Sequence, residues 1–168
     1  MRNLACLVVL GTLWLSSSAR AADEWPADQR VLERAVFLAG PLFAHLPIVL
    51  TSVLPSMVSP GAEAWTIYLE TGQGDKIFVY TGSAIFQCAS TSRSNGWQCE
   101  LKLASLIVHE AWHLRNGPDE AGAYEAQMTF LIRNGGSGEQ ISWIRIARDR
   151  VLATRQKAAE IAKKSPPA

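Results

Sequence analysis

Two histidines and a glutamate stand in the spacing His109-Glu110-Ala111-Trp112-His113, inside a run from Leu106 to Leu114 that otherwise reads as a buried helix. A helix rises about 1.5 Å per residue, so His109 and His113 lie one turn apart on one face, and both imidazoles can reach a single zinc ion at about 2.0–2.1 Å. Glu110 flanks that ion, where it can hold a water and take its proton. The competing reading is a pair of hydrogen-bonded histidines at the edge of a core helix. Three observations favour the metal. Two of the chain's three histidines fall at this spacing, the flanking residues Leu106, Ile107, Val108, Ala111, Trp112 and Leu114 carry no charge, and a charged triplet in such surroundings is costly unless paired or metal-bound.

The segment from Leu103 to Leu131 resembles the zincin metallopeptidases, and Glu120-Ala121-Gly122-Ala123-Tyr124 is similar to the E-x-x-A-[DY] pattern of their gluzincin branch. There a glutamate on a second helix is the third zinc ligand. The resemblance is to small secreted bacterial zincins rather than to the large two-domain enzymes. It implies an α+β, zincin-like fold in which a small antiparallel sheet packs on the HExxH active-site helix, with further helices N- and C-terminal to it. It also implies zinc as cofactor, held by His109, His113 and Glu120, with Glu110 as general base and a peptide or protein as substrate. Asp119 competes with Glu120, because it stands six residues after His113, the distance at which metzincins place their third ligand. Glu120 has the longer reach, and an acid beside Pro118 is readily explained by the dipole of the helix that begins there. His45 is the only histidine that could take the place of a carboxylate ligand.

The elements that must position these groups are partly legible. The metal helix runs from Gln98 or Leu101 to Leu114 and stops at Asn116-Gly117-Pro118, since glycine suits a left-handed cap and proline cannot continue the hydrogen-bond ladder. A second helix over 119–133 carries Glu120, Tyr124 and Gln127 along one side. Packed against the metal helix, that stripe would present Glu120 to the ion and Tyr124 to the substrate carbonyl, with Gln127 behind the ligands. Upstream, a helix starts near Pro26 and ends at Gly40-Pro41, and Leu42 to Met57 is a broken helix or extended segment. Trp65–Glu70 and Lys76–Tyr80 flank a Gly-rich turn and read as a hairpin, with Ala84–Cys88 as a third strand. By analogy with zincins, that third strand is expected to lie at the sheet edge and pair with an extended substrate. Ser137 and Gln140 form a capping box that opens a last, packing helix, whose tail should fray.

Residues 1–21 read as a secretory signal peptide: Arg2, an apolar run from Leu4 to Leu15, and a small-residue cleavage site at Ala19-Arg20-Ala21. Residues 22–168 then form a single domain, secreted or periplasmic, without a stable membrane anchor once the leader is removed. Two of the 16 basic residues, Arg2 and Arg20, lie in that leader, which leaves the mature chain near −1 against 15 acidic residues. Such a balance gives no support to nucleic acid as a partner. Cys88 and Cys99 are the cysteines that remain, and in an oxidising compartment they are expected to form a disulfide worth about 2–3 kcal/mol by loop closure. Two function classes stay open: a zinc-dependent hydrolase, with a metallopeptidase favoured, or a non-catalytic module of the same fold that binds a protein partner or holds zinc structurally.

Overall fold

A computed structural model describes residues 27–91 and 96–164; the leader expected over 1–21 lies outside them. Among the described residues the chain is α+β, with five α-helices and a three-stranded sheet. In chain order these are α1 (Ala27–Ala39), β1 (Ile48–Thr51), β2 (Ala64–Tyr68), β3 (Gly74–Tyr80), α2 (Ala84–Ser90), α3 (Gly96–Asn116), α4 (Glu120–Arg133) and α5 (Gly138–Lys164). A short 3₁₀ turn, Pro41–Phe43, follows α1.

The helix α3 is the axis of the fold. Its 21 residues span about 31 Å. Leu101, Leu103, Ala104, Ile107 and Ala111 are buried along it, in one cluster with Val31, Leu32 and Ala35 of α1, Ile77 and Val79 of β3, Ile85, Phe86 and Ala89 of α2, and Phe130 and Leu131 of α4. An apolar surface on almost every side is why a helix with polar ligands can still be a core element. Gly117 ends it: its φ of 79° is left-handed, and its N–H bonds back to the His113 carbonyl at 3.0 Å.

The sheet differs from expectation in two respects. The segment 84–88 is not a strand but the body of α2. Ser83 caps it by accepting from the Phe86 N–H at 3.2 Å, and Ile85, Phe86 and Ala89 make a helical stripe against the core. Five residues, Ala-Ile-Phe-Gln-Cys, are too few for a period that separates a strand from a buried helical turn. The third strand comes instead from the proline-flanked stretch before the hairpin. That strand, β1, pairs with β3 in parallel, Ile48 opposite Ile77 through Thr51 opposite Tyr80, whereas β2 and β3 are antiparallel. The sheet is therefore mixed, in the order β1-β3-β2, and not the purely antiparallel sheet expected.

Helix α2 is tied to the start of α3 by the Cys88–Cys99 disulfide, with Cα atoms 5.8 Å apart. The expected capping box is in place at α5, where the Ser137 Oγ accepts from the Gln140 N–H and the Gln140 side chain accepts from the Ser137 N–H. Ile141 and Ile144 of α5 pack on the core, while the helix from Leu152 onward is exposed. No helix among the described residues is long and apolar enough to cross a membrane.

Candidate metal centre

His109 and His113 come from the last two turns of α3 and Glu120 from the first turn of α4, after a link of only a few residues. Both imidazoles are buried, at 7% and 4% exposure. Their Nε2 atoms face each other at 3.2 Å, and the Glu120 carboxylate meets them with Oε2 3.3 Å from His109 and Oε1 3.5 Å from His113. Ligand atoms of all three residues lie within 4.8 Å of one another, a group that could hold a metal ion. Bonds of about 2.0–2.1 Å from a tetrahedral ion to two nitrogens put those nitrogens roughly 3.3 Å apart, so the donor set and its spacings fit zinc.

The orientation of His113 is fixed from behind. Its Nδ1 lies 2.8 Å from the Gly117 carbonyl, which can only accept, so Nδ1 carries a proton and Nε2 is the ring nitrogen turned towards the group. The glycine that ends the helix thus also aims a ligand. Burial lowers the His113 pKa, but hydrogen bonds to Glu120 and to the Gly117 carbonyl outweigh it and hold the imidazole above its ordinary value. Hydrogen bonds from His109 and His113 hold the Glu120 carboxyl well below the usual carboxylate range.

The close approach of α4 depends on Gly122. A Cβ there would run into the Trp112 ring, so a side chain larger than hydrogen would push the first turn of α4, and Glu120 with it, away from α3. Asp119 does other work. It is the N-cap of α4, accepting from the Gly122 N–H at 3.3 Å, and it pairs with Arg155 of α5. That ion pair holds its carboxyl below the ordinary value. His45 is exposed and lies outside the metal-ligating group.

Glu110 points across the sheet side of α3. It is 7% exposed, and its Oε2 accepts a 2.8 Å hydrogen bond from the Thr66 hydroxyl of β2. Burial pushes its pKa up, against the lowering effect of His109, Thr66 and His113. A raised carboxyl beside, but not within, a ligand group is the setting in which a glutamate can exchange a proton with a water. Tyr124 packs edge-on against His109, ring centroids 4.7 Å apart, and Tyr68 of β2 stands edge-on to His113 at 6.3 Å. Burial, then the Glu110 and Glu120 carboxylates, push the Tyr68 phenol up to about 12. Burial first, then Glu120 and Glu110, raises the Tyr124 phenol. Gln127 is buried, but it donates to the Ser105 hydroxyl at 3.1 Å rather than to a ligand of the group.

Glu120, Glu110 and Tyr124 thus gather around the two histidines, while Asp119, His45 and Gln127 do not join them. Thr66 and Tyr68 escaped the sequence reading. The one available signal was their alternation in β2, which puts both on the same face of a strand followed by a hairpin. Among the described residues the edge strand beside α3 is β2, whereas the segment 84–88 is helical. Comparison of the chain with protein-family profiles, with curated proteins and with solved structures finds no match.

Proposed function

We propose that this chain is a secreted or periplasmic zinc-dependent hydrolase acting on peptide or protein substrates, in the manner of the small zincins that its helix resembles. The observation that carries this reading is Glu110, a buried carboxylate one residue from a ligand and outside the His109-His113-Glu120 group. A carboxylate needed only to close a structural site would be a ligand; one beside the site is free for proton transfer.

His109 Nε2, His113 Nε2 and the Glu120 carboxylate would hold the zinc, which would supply a Lewis acid for the substrate carbonyl and acidify a water. The rest is chemistry of the chain. Glu110 accepts the proton of the attacking water and passes it to the departing amine, and Thr66 holds one carboxylate oxygen so that the other faces the water. An extended substrate pairs with the edge of β2 that has no strand partner among the described residues, where main-chain hydrogen bonds hold it irrespective of sequence. Among the described residues the group offers three protein donors, and a fourth would close it to a water or substrate.

The test is Glu110→Gln in the zinc-loaded protein. The amide keeps the shape but cannot take a proton, so zinc content should match the parent while hydrolysis of a broad peptide library falls by about 10²-fold or more. Equal hydrolysis by variant and parent removes Glu110 from catalysis. Hydrolysis by neither leaves the non-catalytic module as the function of the fold.

A further inference from the structure

Strand β2 carries a second group towards the site. Thr66 and Tyr68 are two residues apart and so share the strand face that meets α3. The Thr66 hydroxyl is on Glu110 at 2.8 Å, and the Tyr68 ring is edge-on to His113 at 6.3 Å. Two local features set this approach. Gly74 is the partner of Tyr68 in the ladder, and a Cβ on it would lie 2.6 Å from the Leu114 Cα. The bare glycine therefore lets the hairpin press on α3 at the residue that follows His113. The register also slips between Ile67 and Tyr68, a bulge of the kind that re-aims a side chain at the end of a strand. Among the described residues the Tyr68 hydroxyl has no hydrogen-bond partner.

We infer that Tyr68 is a catalytic residue whose hydroxyl donates to the carbonyl oxygen under attack, a role the sequence alone suggested for Tyr124. The inference rests on the hydrolase reading above. A substrate lying along the free edge of β2 runs beside Tyr68, which belongs to that same strand. Tyr124 belongs to α4 and flanks the other imidazole, that of His109. As the water oxygen bonds to the carbonyl carbon, Glu110 takes the water's proton and the C=O π pair moves onto the carbonyl oxygen. The Tyr68 O–H meets that developing charge and keeps its own proton throughout. When the C–N bond breaks, the pair returns to re-form C=O, and the proton on Glu110 goes to the amine nitrogen. A donor aimed at such an oxyanion acts more strongly on the transition state than on bound substrate.

The test compares Tyr68→Phe and Tyr124→Phe with the parent, all as zinc-loaded full chains of confirmed metal content. Hydrolysis is measured on a fluorescence-quenched peptide library, and calorimetry measures the affinity for N-phosphoryl-Leu-Ala, a tetrahedral probe. In Tyr68→Phe, kcat should fall by about 10²-fold with little change in KM, as for loss of one oxyanion donor, and probe affinity should fall at least about tenfold. Tyr124→Phe should lose less on both counts. Equal kcat and equal probe affinity in Tyr68→Phe and the parent overturn the role of Tyr68 and leave the hydrolase reading standing. A zinc-loaded parent that cleaves no library member overturns the hydrolase reading and this inference with it.

Discussion

His113 shows how much of the site's chemistry is set one atom at a time. Its Nδ1 is committed to the Gly117 carbonyl, and its Nε2 shares the Glu120 carboxylate with His109. In the metal-free protein this amounts to an ion pair, which raises the His113 pKa and lowers that of Glu120. The two shifts have opposite pH signatures. A raised histidine stabilises the fold fully below its unfolded value of about 6.5 and loses that contribution as pH rises through its folded value. A depressed carboxyl stabilises above its unfolded value of about 4.3 and loses it only as pH falls through its folded value. Their joint contribution is therefore greatest at about pH 5–6. Metal-free parent should melt above metal-free Glu120→Gln by the widest margin there, and the margin should shrink as pH rises through the His113 titration. Thermal melts of the two proteins across pH check this; a margin that grows above neutrality would mean that His113 is not protonated in the pair.

At the scale of elements, two glycines bring secondary structure close enough to build a site. Gly122 admits the Trp112 ring between α3 and α4, and Gly74 admits the backbone of Leu114 against the hairpin. The second contact is with main chain, which cannot swing aside as a side-chain tip can. Gly74→Ala should therefore destabilise by about 1–3 kcal/mol, the range for overpacking, read from the midpoint of denaturant unfolding. Because β2 carries Thr66 and Tyr68 but no metal ligand, hydrolysis should suffer more than zinc affinity in this variant. Helix α5 acts on the other flank. Arg155 pairs with Asp119 and Arg148 with Glu125, so α5 braces the helix that bears Glu120. Each of these exposed pairs contributes little by itself, because solvent screens it.

For the whole molecule, a metal that binds the folded chain through residues of two helices must also stabilise the fold. At a hundredfold excess of free zinc over its Kd, the gain is about 2.7 kcal/mol. For a domain of this size that raises Tm by roughly 5–10 °C. Zinc should produce that rise in the parent, a chelator should reverse it, and His113→Ala should show neither effect. An equal rise in His113→Ala, followed by scanning calorimetry, would place the ion elsewhere.

The motif was legible because a helix is a local structure. A spacing of four residues puts His109 and His113 on one face whatever the rest of the chain does, and Gly117-Pro118 must stop that helix. The helix after it, the capping box at Ser137 and the hairpin followed from equally local rules. Whether 84–88 is a strand or a helix, and whether the sheet is mixed, was not local. Those outcomes turn on which neighbours bury Ile85, Phe86, Ile77 and Val79, and β1 reaches its parallel place only across the hairpin. The choice between Asp119 and Glu120 was likewise tertiary. Both are acids at the start of one helix, and one faces the imidazoles while the other caps the helix and meets Arg155. Thr66 and Tyr68 lie more than forty residues before His109 and in another kind of element. Only the packing of the hairpin on α3, permitted by the missing side chain of Gly74, brings them to the histidines.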